Sequence, residues 1–357
     1  MTPQPPGKLR IEAELLIPGR GAPVRDAVVD IDGSVITYAG PADGAPHDPR
    51  SAEPARARTL MPGMWDCHTH LNGGRPGTFD FAQLVQEHPA TRAARSAPSL
   101  RRALDAGVTS VRELGGMGLH LASVVDEGSL PGPTIYAAGS MLSATGGHGD
   151  IHSLPADWVQ DCARMGAGFR LADGEAECAK AVREQLRRNA RIIKVCASGG
   201  VLSVIDDPLN QELTVRELLD RGGLAPYAAR KLDVIGHLHR ENIARAHQAG
   251  VRIAMGSDIQ STGDAPAAWG RHGREAVLLA EIGMEPLDVI EAATANGPAT
   301  LGAQAPRSGL LQAGFDADLL AVDGDPSHDI SVLADPARIT AVWQAGVLVK
   351  GGAEQAT

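Results

Sequence analysis

Met61-Pro62-Gly63-Met64-Trp65-Asp66-Cys67-His68-Thr69-His70 reads as a short buried strand that ends in two histidines one residue apart. Side chains alternate across a strand, so His68 and His70 point to one face while Cys67 and Thr69 point to the other. Two imidazoles converging at a strand end are a natural start for a metal site. A bare His-x-His also occurs on ordinary strands, so its surroundings decide. Leu60-Met61-Pro62-Gly63 leads into the pair and Asn72-Gly73-Gly74 leads out of it.

Downstream, the pattern is strand-helix alternation. Ser99 to Ala106 reads as a helix closed by Gly107, followed by a strand from Val108 to Leu114. Pro133 to Ser140 is a further strand. The amphipathic helix Glu175 to Asn189 feeds the apolar run Ile192 to Ala197. A helix from Glu241 to Ala249 feeds Val251 to Met255, which runs into Gly256-Ser257-Asp258. Helices around Arg274 to Ile282 and Pro286 to Ala295 follow. Repeated units of this kind point to a parallel α/β architecture, most simply a barrel.

Upstream of Leu60 the pattern is different. Residues 27–32 and 34–39 alternate as antiparallel strands around Gly33. Strand patterns return after Gly309, ending in a hairpin through Ile339 to Val349. Residues 1–60 and 309–357 are therefore expected to form one small β-sandwich, since chain ends commonly lie close together. Residues 61–308 would form the barrel.

Composition narrows the function classes. The chain has 357 residues, a 43% hydrophobic fraction and only 3% aromatics, so aliphatic side chains must fill a sizeable core. A formal charge of −10, spread along the chain, argues against nucleic acid as a partner. No apolar run approaches the roughly 20 residues of a membrane span. Cys67, Cys162, Cys178 and Cys196 show no Cys-x-x-Cys spacing and read as reduced thiols of a cytoplasmic protein. The expected partner is a small-molecule substrate, and association as a homo-oligomer is left open.

Two further positions carry chemistry. Lys194 stands in an otherwise apolar strand. It is either a lysine reaching to the surface or a desolvated amine of lowered pKa. A neutral amine can take up carbon dioxide, and the carbamate so formed can bridge metal ions as a carboxylate does. Asp258 ends a strand, as a turn or capping aspartate or as a metal ligand that takes a proton from water. His68, His70, Lys194 and Asp258 all fall at the C-terminal ends of expected strands, where barrel enzymes place their sites.

Together these positions resemble the amidohydrolase superfamily, with its PGxxDxHxH signature at residues 62–70. The similarity is strongest to its imidazolonepropionase-like and Xaa-Pro dipeptidase-like branch with a carboxylated lysine. It is carried by Gly63 to His70, Ser143 to Asp150, Lys194 to Ser203, Gly250 to Asp258 and Ala293-Thr294-Ala295-Asn296. The resemblance implies a (β/α)8 TIM-type barrel with a β-sandwich built from both termini. It also implies a centre of two divalent ions, taken as Zn2+, that activates water against an amide, peptide or cyclic amide C–N bond. His68 and His70 would bind one ion, Lys194 would bridge as its carbamate, and Asp258 would be ligand and general base. His148, in the glycine-rich loop Thr145 to Asp150, would contact substrate.

The chain departs from that pattern between Lys194 and Asp258. Two more histidines are due there, at the ends of the fifth and sixth strands. A strand-helix unit takes roughly 30 residues, so the interval is about two units short. Leu232 to His239 could be a strand ending in a second His-x-His, with His237 and His239 as the missing ligands, or it could lead into the following helix. Without them the chain would be a non-enzymatic family member. A lactone or a phosphotriester is the alternative electrophile for a complete centre.

Overall fold

The computed structural model describes residues 7–46, 54–75, 83–164, 168–197, 199, 226–262 and 268–351. The alternating N-terminal stretches form β1 (Lys8–Leu16), β2 (Val24–Asp32), β3 (Val35–Pro41) and β4 (Ala55–Pro62). Gly33 turns the β2–β3 hairpin at a φ of +62°, a left-handed conformation that costs glycine little. The His-x-His stretch supplies β5 (Met64–Thr69). After it come α1 (Gln83–Gln86), α2 (Pro89–Asp105), β6 (Val108–Glu113), α3 (Gly118–Asp126), β7 (Thr134–Ala137) and β8 (Met141–Ser143). The chain continues through α4 (Ala156–Arg164), β9 (Phe169–Leu171), α5 (Gly174–Arg187), α6 (Pro226–Gln248), α7 (Gly273–Glu281) and α8 (Pro286–Ala293). It closes with β10 (Leu319–Val322), β11 (Ile339–Gln344) and β12 (Val347–Lys350).

Both ends of the chain meet in one seven-stranded sheet, in the order β12-β11-β10-β4-β1-β2-β3. The junction is the antiparallel pair β10–β4, which sets Leu319 against Pro62 and Val322 against Thr59. The period-2 alternation of β10 divides its residues between two cores. Leu319 and Ala321 pack with Ile11, Val29, Ile31 and Leu60. Leu320 and Val322 pack with Met61, Met64, Leu100 and Val108. Each buried Leu or Val of β10 contributes about 1.5–3 kcal/mol, so β10 fastens the sheet to the strand-helix region as well as to itself.

In that region the strands are parallel. β5, β6 and β7 form one sheet, and β8 pairs with β9 in another. The two expected strands nearest the site form almost no ladder. Residues 192–197 contribute a single parallel bridge, Val195 with Leu142, and residues 251–259 a single bridge, Ile259 with Thr69. Among the described residues these strands do not close into a ring. The helix expected from Ser99 begins at Pro89, with the His88 side chain accepting the Ala90 N–H as its cap. Pro98 sits inside it, where its missing N–H breaks one ladder bond without ending the helix. Among the described residues no helix is long and apolar enough to cross a membrane.

Candidate metal centre

Strand alternation puts Asp66, His68 and His70 on one face of β5. Residues 251–259 run alongside. The Cys67 N–H donates to the Met255 carbonyl (2.8 Å), the Asp258 N–H to the His68 carbonyl (2.7 Å), and the His70 N–H to the Ile259 carbonyl (2.8 Å). Gly256 permits this approach, since a Cβ there would stand 3.0 Å from the His68 Cβ. Asp258 then takes a φ of +53°, a region non-glycine residues enter rarely and aspartate more readily than most. Its Oδ1 lies 3.1 Å from His70 Nε2 and 3.4 Å from His68 Nε2.

One donor atom from each of His68, His70 and Asp258 lies within 4.8 Å of the others. Ligands about 2.1 Å from a tetrahedral zinc ion sit roughly 3.4 Å apart, so the set fits a divalent ion. Proton placement agrees. His70 Nδ1 lies 2.8 Å from the Gly115 carbonyl, which only accepts, so Nδ1 carries the hydrogen and Nε2 presents its lone pair. A lone pair facing a carboxylate oxygen at 3.1 Å requires a positive charge between them, supplied by a proton or a metal ion. A backbone carbonyl behind the imidazole is also the usual support of a metal-bound histidine.

The charges follow from burial and mutual contact. Burial pushes the His68 imidazole down to about 3, against the pull of Asp258, so it is neutral and able to ligate. Burial would raise the Asp258 carboxyl, but His68, His70 and Lys194 together hold it at about 2. For His70, burial works against the charged form and Asp258 outweighs it, so its pKa is raised. Beneath His70, Glu113 is fully buried and accepts the Leu71 N–H (3.2 Å). Burial pushes its carboxyl up to about 7.

The structure brings together three of the residues singled out from sequence, His68, His70 and Asp258. Lys194 is half-buried, its charge acts on both His68 and Asp258, and its carbonyl accepts the Leu142 N–H (2.8 Å). His148 is half-buried in a loop that Asp150 braces through the Gly146 N–H (2.9 Å). His237 and His239 are not the ends of a strand. Leu232 to His239 lies inside helix α6, where residues two apart face away from each other, and His237 is exposed. Leu232, Ile235 and Leu238 recur at helical spacing while Leu232, Val234 and Leu238 would share one strand face, and the helix prevails.

Sequence reading overlooked a second layer of the site. Asp66 is fully buried and accepts from the His68 N–H (3.1 Å), the Ser257 N–H (3.0 Å) and the Ser257 hydroxyl. Its Oδ2 also receives His272 Nδ1–H at 2.7 Å. The i, i+2 alternation from His68 back to Asp66 was a usable signal. Nothing in the local sequence marks His272, which opens helix α7.

Comparison with known proteins identifies the family. The sequence model of the Amidohydrolase family matches residues 59–239 and 213–349. The chain is 34% identical to ochratoxinase of Aspergillus niger over 421 residues, covering 96% of this chain and 86% of that protein. The crystal structure of A. niger ochratoxinase superposes with a TM-score of 0.88 at 32% identity, covering 98% of this chain and 97% of the other. A prolidase crystallised with N-methylphosphonate-L-proline superposes with a TM-score of 0.84 at 27% identity, covering 97% of this chain and all (100%) of the other. With a histidine pair and an aspartate converging where β5 meets residues 251–259, and a family match that spans most of its length, this chain belongs to the amidohydrolase family of hydrolases.

Proposed function

We propose that this chain hydrolyses an amide or peptide C–N bond at a divalent metal centre held by His68, His70 and Asp258. The carrying observation is the convergence of two imidazoles on one carboxylate oxygen, at 3.1 and 3.4 Å. The similarity to an ochratoxinase and to a prolidase supports an amide-type substrate. When bound, the ion supplies Lewis acidity toward the substrate carbonyl and lowers the pKa of water. Asp258, ionised throughout the neutral range, receives the proton of the attacking water and returns it to the leaving nitrogen. His70, with its Nε2 lone pair, and His68 turn their Nε2 atoms toward the same Asp258 oxygen. Lys194, within electrostatic reach of both His68 and Asp258, is proposed to complete the ligand set as its carbamate, with His148 contacting substrate. Zinc is the ion best matched to two imidazoles and carboxylates.

The histidines favour one firmly held ion over two. His237 and His239 lie on a helix, and residues 198–225 contain no histidine. The alignment with ochratoxinase runs over 421 positions, more than the 357 residues of this chain, so that relative carries residues with no counterpart here. We read the fold as an amidohydrolase barrel, residues 61–308, shortened after Lys194, with residues 1–60 and 309–357 forming the accompanying β domain.

The test is a panel of dipeptides, including Xaa-Pro, and N-acyl amino acids, with release of the amino acid followed by mass spectrometry. Asp258→Asn should lower turnover at least 100-fold. Equal turnover by wild type and Asp258→Asn would refute the assignment.

A further inference from the structure

Beneath the ligands lies a polar cluster that hydrolysis does not use. Asp66 and His272 are both fully buried, and the carboxylate accepts the His272 Nδ1–H at 2.7 Å. Among the described residues, every other bond to Asp66 comes from a segment that carries a ligand. Oδ1 takes the His68 N–H at 3.1 Å and the Ser257 N–H at 3.0 Å, and Oδ2 takes the Ser257 hydroxyl. His68 and Asp258, on separate segments, are thus tied to one carboxylate through His68 itself and through the residue preceding Asp258. Asp258 keeps its left-handed φ of +53° directly after that tie. The segment around His272 holds the other histidine as well. Trp269 Nε1–H donates to the His70 carbonyl at 3.3 Å, and its ring meets the His272 imidazole edge-on at 5.2 Å between centroids.

His272 is a poor choice for a residue that only fills space. Its Nε2 is buried with no hydrogen-bond partner among the described residues. Burying a polar atom unpaired is costly, and an apolar side chain of similar shape would avoid that cost. What an apolar side chain cannot do is donate to Asp66 Oδ2 and so fix which way the carboxylate turns.

We propose that Asp66 and His272 form a buried positioning pair that sets the spacing of His68 and Asp258, and thereby the affinity of the metal centre. His272 orients the carboxylate, and the carboxylate holds the two ligand-bearing segments in register. The inference rests on the metal site proposed above. Outer partners of metal ligands typically change metal affinity 10–100-fold when removed.

The experiment is a chelator-competed Co2+ titration, followed by visible absorption, on wild type, Asp258→Asn, His272→Leu, His272→Asn and Ser257→Ala. Thermal unfolding of each metal-free protein is recorded alongside. His272→Leu should weaken Co2+ binding at least tenfold, and His272→Asn, whose amide N–H stands near the place of Nδ1, should recover most of it. Ser257→Ala should weaken binding several-fold. Combined with His272→Leu it should add less than its separate effect, because both act through Asp66. Should His272→Leu fail to fold, Ser257→Ala and His272→Asn carry the test. Cobalt affinity unchanged in the folded variants, with only the metal-free melting temperature lowered, would make the pair structural and overturn the inference. Cobalt binding by wild type that Asp258→Asn leaves intact would overturn the metal site itself, and the inference with it.

Discussion

Replacing Asp318 by asparagine should favour the stability of this protein more above neutral pH than in acid. Asp318 precedes β10, is buried, and accepts the Ala345 N–H at 2.8 Å. That one bond does not offset the loss of water. Burial, with the neighbouring Asp316 adding to it, raises the carboxyl from 3.8 to about 7. A rise of some three pH units corresponds to about 4 kcal/mol between the two protonation states. Below pH ~4 the carboxyl is protonated in folded and unfolded chains alike and costs nothing. Between ~4 and ~7 the folded chain keeps a proton that the unfolded chain has released, so stability falls as pH rises. Above ~7 both are ionised and the folded chain bears the whole penalty. Asparagine keeps the acceptor for Ala345 and never ionises. Whatever constant cost its amide N–H brings is the same at every pH. The stability difference between Asp318→Asn and wild type, from urea unfolding, should therefore be about 4 kcal/mol more favourable to the variant at pH 8 than at pH 4. A difference that does not change with pH would refute the reasoning.

Three further outcomes are expected. Burial pushes the Cys67 thiol up to about 12, so iodoacetamide should leave Cys67 unlabelled in the native protein at pH 8 while exposed Cys178 reacts, as peptide mass spectrometry would show. Phe169 is buried among Met141, Ile151, Val159 and Leu171, so Phe169→Ala should cost about 3–5 kcal/mol in urea unfolding. Gly256→Val should lower zinc retention during dialysis at least tenfold, because its Cβ would press on His68 and part residues 251–259 from β5.

The parts of the molecule written in local patterns were legible in its sequence. The His-x-His pair on β5, the β2–β3 hairpin at Gly33, and helix α5 each follow from periodicity of 2 or 3.6 and from turn residues. The sequence patterns at both chain ends suggest a β-sandwich, and what the structure shows is one seven-stranded sheet joined at β10 and β4. Apolar runs were less decisive. Ile192 to Ala197 and Val251 to Met255 look like full strands, yet the first forms a single bridge and the second none of its own. Leu232 to His239 has apolar spacing that suits either period, and it is helical over its whole length. His272 was not legible at all. Its meaning comes from the approach of a helix start to Asp66, more than 200 residues away in sequence, and no local pattern encodes such a contact.

The most direct test of the metal-centre account is metal content per chain, measured by inductively coupled plasma mass spectrometry on protein purified with zinc and bicarbonate. One tightly held ion per chain, lost in Asp258→Asn, is the predicted result. No retained ion would contradict the convergence of His68, His70 and Asp258 as a metal site, and two tightly held ions would contradict the reading that this chain lacks the imidazoles for a second.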